Sequence, residues 1–460
     1  MVRTDRRNGS CYTTVVQEQW LVRVIFFGIL TLVGVPARAD TAAVLSFWSR
    51  PAAASRTTNS GAVRPTDPPP GRTTNMDWIG ESLAETMREA IASRGILACD
   101  RDEIEKALHR LGLRDRTALS DASVIKIGEE LDAEQVVFGE FQFTPAPKPT
   151  STQISTTQVS TPVTAKPAAS AGSLRIAARV MDRRRMRLGA EFIETGALED
   201  LATLEAHLAW RALMLLAPAL APPESEFRTL RPAIRLDAEE SYVRGLLAPD
   251  AQKEKFFLQA ARLDARFAQP CYRLGQLHYQ RKEYRQAVEW LERVPPEDLR
   301  YRAASFLLGL ARFQSGDFTG AQKAFQMIAE TVPLSEVYNN LGAAESRRNL
   351  PQAADDFRKA AEGDANDPVY QFNLGYALWK KGDFTEAAER FRAALDHDPE
   401  DQMATLLLGR CLKKQGLQTG AARSGGTLDR DARLAGLERL KTNYEEHAYR
   451  QLKAVIGAKQ

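Results

Sequence analysis

Few side chains in this chain of 460 residues are placed for chemistry, and those few lie far apart. Histidines stand at 109, 207, 278, 397 and 447, and none has a partner at a metal-ligand spacing such as His-Glu-x-x-His. No Gly-x-Ser-x-Gly elbow, Gly-x-Gly-x-x-Gly turn or Walker-type phosphate loop occurs. Ser82, in Ile79-Gly80-Glu81-Ser82, lacks the elbow spacing and reads as a polar residue of a helix's first turn. Cys99 sits in an apolar stretch, where a small buried hydrophobe is the simpler reading than a nucleophile. Adjacent acids at Glu129-Glu130, Glu239-Glu240 and Asp355-Asp356 are expected to mark solvated helix faces, the usual place of such pairs. The chain is expected to be non-catalytic, with no metal and no cofactor.

The stronger signal is a repeat. Leu-Gly pairs recur at Leu274-Gly275, Leu308-Gly309, Leu341-Gly342, Leu374-Gly375 and Leu408-Gly409, with glycines 34, 33, 33 and 34 residues apart. A small residue follows twelve places after most of these glycines (Ala287, Ala321, Ala387), with Ala353 one place early. A bulky one comes four further on: Leu291, Phe325, Phe357 and Phe391. Pro333 and Pro399 close two units, because proline cannot donate to a helical ladder. The spacing predicts helix pairs: Gly and Ala let two helices approach, and the bulky residue fills the gap to the next pair. Such pairs cannot bury their apolar faces alone, so they stack.

On these residues the segment 237–415 resembles the tetratricopeptide repeat family. The resemblance implies an all-α superhelix whose first helices line a concave groove that holds an extended polypeptide. The groove positions carried over are Tyr272, Arg273, Gln276 and Tyr279, then Phe306 and Phe313, then Asn339, Asn340 and Arg347. Phe372, Asn373, Tyr376 and Trp379 follow, and Arg410 comes last. Asn340 and Asn373 stand where family members hold a ligand by its backbone; an amide donates and accepts at once, as a strand neighbour would. Phe306, Phe313 and Phe372 have a second reading, as packing residues or as contacts to the chain's own terminal helix. The basic clamp for carboxyl-terminal peptides is not reproduced, since Arg410 alone cannot make it. Residues 429–456, with Leu434, Leu437, Leu440, Tyr444, Ala448, Leu452 and Val455 on one stripe, are expected to form a helix capping the open end of the stack.

Ahead of the repeats, residues 40–217 read as strand, helix, strand, two helices, strand, hairpin and long helix. That order implies an α/β domain, a mixed sheet with packing helices. It is interrupted by inserts at 50–75 and 144–172, rich in Ala, Pro, Ser and Thr, that cannot support a core and are expected to be disordered. The run Asp77 to Ile91 (DWIGESLAETMREAI), after a strand opening AVLSF, resembles the amino-terminal domain of the TolB family and its curli-secretion-like relatives. Ser46-Phe47 replaces the usual Pro-Phe, and the insert behind that strand also departs from the pattern.

Residues 1–39 read as an export signal. Arg3, Arg6, Arg7 and Arg23 precede the apolar run at 24–35, and Ala37-Arg38-Ala39 is a small-x-small cleavage site. A run of twelve apolar-type residues is too short to span a bilayer, which takes about twenty. Of 62 basic and 59 acidic side chains, these 39 residues hold five Arg and two acids, which leaves 57 of each sign beyond them. That balance lacks the basic excess that phosphate binding needs, so nucleic acid is disfavoured as a partner. The expected protein is therefore periplasmic or secreted, with membrane contact only if the signal is uncleaved. It would act as a scaffold or adaptor binding other proteins or peptide segments in the envelope. The alternative is an envelope assembly or secretion component, homo-oligomeric through its α/β domain.

Overall fold

The computed structural model describes residues 41–50, 76–146, 171–229, 234–417 and 434–446. The export segment, most of both inserts and both ends of the 429–456 segment lie outside the described residues.

A mixed sheet is built first. β1 (Thr41–Val44) and β2 (Trp48–Ser49) replace the single strand expected over 42–48. The chain breaks between them where Phe47 N–H donates to the carbonyl of Gly80 on α1 (Asp77–Ala92), at 3.1 Å. After α1 come β3 (Leu97–Ala98), α2 (Arg101–Arg110), α3 (Asp121–Glu130) and β4 (Gln135–Pro145). β5 (Gly172–Asp182), β6 (Arg187–Leu188) and β7 (Phe192–Ala197) complete the sheet. β1 and β2 run parallel to β4, β3 runs parallel to β1, and β6 and β7 pair antiparallel with β5. β4 and β5 pair antiparallel along their full lengths, from Gln135 opposite Asp182 to Pro145 opposite Gly172. Thr144 and Pro145 therefore belong to the sheet, and the second insert starts later than residue 144.

Successive strand residues face opposite ways. Val44, Val137 and Phe141 accordingly bury against α1 and α4 (Leu201–Leu216), while Ala43, Leu45 and Val136 bury against α2 and α3. The α1 stripe of Ile79, Leu83, Met87 and Ile91 is wholly enclosed. Gly80 sits so close to the sheet that a Cβ there would lie 1.9 Å from the Phe47 carbonyl oxygen.

Beyond the short α5 (Glu224–Thr229), helix pairs follow. They are α6 (Leu236–Leu247) with α7 (Asp250–Leu263), α8 (Ala268–Gln280) with α9 (Tyr284–Leu291), and α10 (Tyr301–Gln314) with α11 (Phe318–Ala329). α12 (Ser335–Arg347) pairs with α13 (Ala353–Gly363), α14 (Pro368–Lys381) with α15 (Phe384–His397), and α16 (Gln402–Leu412) ends the described array. The fold class is the expected one: a mixed α/β layer followed by a helical repeat stack.

The repeat glycines act by contact. A Cβ on Gly309 would stand 2.7 Å from the Phe325 ring, and one on Gly275 2.5 Å from the Leu291 side chain. Each such bulky residue, buried to 2% exposure or less, contributes roughly 1.5–3 kcal/mol. Gly409 has open space instead, because no described helix packs against α16 in that position.

The apolar core does not stop at the Pro218–Pro223 break. Tyr242, Val243, Leu246, Phe257 and Phe267 of the first repeat join α1 and α4 in one cluster. Polar groups cross the same boundary. Arg88 on α1 binds Glu81 at 2.5 Å and Glu85 at 3.0 Å, and Arg300, before α10, binds Glu85 at 3.0 Å and Glu89 at 2.5 Å. Burial raises the Glu85 carboxyl's pKa, but Arg88 and Arg300 outweigh it and hold it at about 2. Glu205 on α4 and Glu239 on α6 form a buried carboxyl pair. Ser82 Oγ donates to Glu239 at 2.7 Å and Thr86 Oγ1 to Glu205 at 3.1 Å. Burial, then the neighbouring Glu239 charge, pushes Glu205 well above the usual carboxyl range, and burial raises Glu239 as well.

Candidate functional site

The residues that could have served catalysis are poorly placed for it. Burial, then the charges of Glu103 and Asp100, pushes the Cys99 thiol up to about 12, the opposite of what a nucleophile needs. Cys271 and Cys411 are likewise buried and unpaired. Among the described residues no cluster of His, Cys, Asp and Glu could hold a metal ion, and no helix is long and apolar enough to cross a membrane.

The groove is where polar side chains converge. Asn339 and Asn340 lie on α12 and Asn373 at the equivalent place on α14, all with no exposed surface. An unbonded amide in such a position would cost about 1–3 kcal/mol. They are bonded to the backbone of residues 434–446 of the same chain. Asn373 Nδ2 donates to the Arg439 carbonyl at 2.7 Å while its Oδ1 accepts from Arg439 N–H at 2.9 Å. Asn340 repeats the exchange with Lys441, at 2.8 and 2.9 Å. Asn339 also donates to the Arg439 carbonyl at 2.9 Å and to Asn340 Oδ1 at 3.1 Å, and accepts from Asn373 at 2.7 Å. Two amides thus grip residues i and i+2 of an extended segment, the spacing at which one edge of a strand presents its N–H and C=O groups.

After a turn at 434–436, residues 437–445 are accordingly extended rather than helical, which corrects, for the described residues, the capping helix expected over 429–456. The stripe of Leu434, Leu437, Leu440 and Tyr444 fits a helical period. A helix there would leave Asn340 Nδ2 and Asn373 Oδ1 without the partners that the extended form gives them. The groove expected to stand open for another polypeptide is filled by the chain's own C-terminal segment.

The segment runs against the direction of the stack. Tyr376 Oη donates to the Leu434 carbonyl at 2.7 Å and accepts from Gly436 N–H at 3.1 Å. Gly436 has φ +73°, and a Cβ there would meet Arg347 at 2.7 Å. Glu438, with its side chain fully enclosed, accepts from Ser346 Oγ at 2.6 Å and lies 3.6 Å from Lys380. Arg439 lies 3.5 Å from the centre of the Phe372 ring and binds both oxygens of Asp401, at 2.6 and 2.9 Å. Burial raises the Asp401 pKa, yet the bonds from Arg439 and two backbone amides hold it below the usual value. Lys441 binds Asp367 at 2.5 Å, over the Tyr370 ring. Tyr444 stacks on Phe306 with centroids 5.0 Å apart, Glu445 N–H donates to Glu336 at 2.8 Å, and Glu446 binds Arg302 at 2.6 Å.

Of the carried-over groove positions, Phe306, Asn339, Asn340, Phe372, Asn373 and Tyr376 meet this segment directly. Arg347 lies beside Gly436 and stacks over Phe318, with the Phe313 ring next to it. Trp379 Nε1 donates to the Gln415 carbonyl at 2.8 Å, outside the segment. Arg273 reaches Gln276 and faces Tyr242 and Glu85 at the junction with the α/β layer, and Tyr279 packs on Tyr284. Tyr272 packs in the core of the second pair, and Arg410 lies half-buried on α16. Sequence reasoning missed Arg302, Ser346, Asp367, Tyr370, Lys380 and Asp401. Asp367 and Asp401 also cap α14 and α16, so their sequence signature is that of a helix start.

With this geometry in place, comparison with known proteins identifies the array. The tetratricopeptide repeat profile matches residues 272–336, 306–368 and 372–425. MamA from Desulfovibrio magneticus RS-1 is 19% identical over 37% of this chain and 99% of its own, with a TM-score of 0.34. YrrB, described as a TPR protein with an unusual peptide-binding site, is 17% identical over 39% of this chain and 93% of its own, at 0.35. Pseudomonas aeruginosa pilF is 17% identical over 43% of this chain and 87% of its own, at 0.33. No protein of curated function matches the chain. The helix pairs within residues 272–425 match the tetratricopeptide repeat, a repeat that generally serves protein interaction.

Proposed function

We propose that this chain is an exported, non-catalytic scaffold that holds an extended segment of a partner protein in its repeat groove. The observation that supports this most is the paired exchange of Asn373 with Arg439 and Asn340 with Lys441. Amides that read only backbone accept any chain that can lie extended beside them, and the aromatic faces of Phe306, Tyr370 and Phe372 add rigid contact area. The signature at 1–39 supports export to the periplasm or beyond, with cleavage after Ala39. The α/β layer, in its resemblance to the TolB amino-terminal domain, would dock on a second envelope component.

A photo-crosslinking residue at Tyr370, introduced in the native cell, tests the reading. Adducts with another envelope protein are expected; adducts only to residues 434–446 under every condition would overturn it. Amino-terminal sequencing of the exported chain should begin at Asp40.

A further inference from the structure

The segment in the groove is held by more than its backbone. Read along the chain, Glu438, Arg439, Lys441 and Glu446 present charges in the order minus, plus, plus, minus. The groove answers with Lys380, Asp401, Asp367 and Arg302, each within 3.6 Å of its counterpart. These four come from different repeats or the turns between them, so the match belongs to the assembled stack. Two of the pairs are reinforced by aromatic faces, Phe372 under Arg439 and Tyr370 under Lys441, and Phe306 receives Tyr444 three residues further on. Glu438 is the most demanding position, because its enclosed carboxylate needs both Ser346 and Lys380. At Gly436, positive φ and the neighbouring Arg347 favour glycine.

We propose that the groove selects partner segments with this same register, Gly-x-Glu-basic-x-basic-x-x-aromatic-x-acidic, and that residues 434–446 are an internal competitor which such a segment must displace. The inference rests on the groove reading above. A tethered segment meets the groove at an effective concentration on the order of millimolar, so only a partner matching the charge register competes with it. Apparent affinity falls by the fraction of chains whose groove is open.

Fluorescence anisotropy with a labelled 13-residue peptide, LAGLERLKTNYEE, tests this. A second probe carries Glu at the two basic positions. The proteins are the full chain, the full chain with Arg439→Glu and Lys441→Glu, and an independently opened chain with Tyr444→Ala and Glu446→Arg. Circular dichroism verifies that each is folded. The matched peptide should bind both opened chains at least tenfold tighter than the intact chain, and the Glu-bearing probe should bind them at least tenfold more weakly than the matched one. Equal binding of the matched peptide to intact and opened chains would overturn the competition. Equal binding of the two probes by the opened chains would overturn the register and leave the groove reading standing. Failure of the opened chains to bind either probe would bring down both.

Discussion

Asn373 and Arg439 exchange two hydrogen bonds, 2.7 and 2.9 Å long, so that a helix side chain takes the place of a neighbouring β-strand. Asn373→Ala removes both and leaves Asn339 Oδ1 without its donor. The docked segment should lose about 1–3 kcal/mol, while the helix core is untouched. Hydrogen exchange at the Arg439 amide should accelerate by one to two orders of magnitude with little change in the melting temperature of the stack.

The charge pairs should respond in the same way. Arg439→Glu sets a carboxylate against Asp401 and gives up the Phe372 face. Trypsin should then cut after Lys441 far faster than in the native chain, where Lys441 is engaged by Asn340 and Asp367. Unchanged cleavage would mean that the segment is held by something other than these contacts.

The carboxyl pair at the junction predicts a loss of stability as pH rises above the ordinary carboxyl range. The folded pKa of Glu205 is raised, so the native state binds more protons than the unfolded state from about pH 4.3 upward. Stability from this pair is therefore present below the ordinary carboxyl pKa and declines as pH rises toward the folded value. Glu85 works with the opposite sign: its folded pKa of about 2 gives stability above the ordinary range that disappears on acidification toward pH 2. Glu205→Gln removes the titration of Glu205 and with it that group's share of the loss. Its melting temperature should match the native chain near pH 4 and exceed it increasingly at higher pH.

The glycines separate contact from mere helical position. Gly275→Ala drives a methyl into Leu291 and should cost about 1–3 kcal/mol. Gly409→Ala meets nothing and should stabilise α16 by roughly 0.5–1 kcal/mol. Thermal melts of the two variants should move in opposite directions.

Much of the repeat stack is legible in the sequence because its rule is steric and local: a glycine such as Gly309 must face a bulky residue such as Phe325, sixteen places on. The α/β order reads equally well, since Val44 and Ala43 alternate between two cores. The fate of residues 434–446 is not legible. Their helical stripe is real, and what overrides it is a set of amides and acids 38 to 101 residues away in sequence, on separate repeats. Asp401 and Asp367 illustrate the difficulty, each serving at once as helix cap and ion-pair partner. The polar network from Glu81 through Arg300 escapes for a similar reason, because it forms only where α1 meets the repeat helices.

Repeat arrays are ordinarily held by nearest neighbours alone, so their ends loosen independently of their middles. Here one extended segment touches α10, α12, α14 and the cap of α16 together, tying first and last members of a run of repeats as well as neighbours. A chain whose groove stands empty would unfold in stages rather than at once. Occupancy of the groove would thereby be written into the mechanical cooperativity of the whole stack.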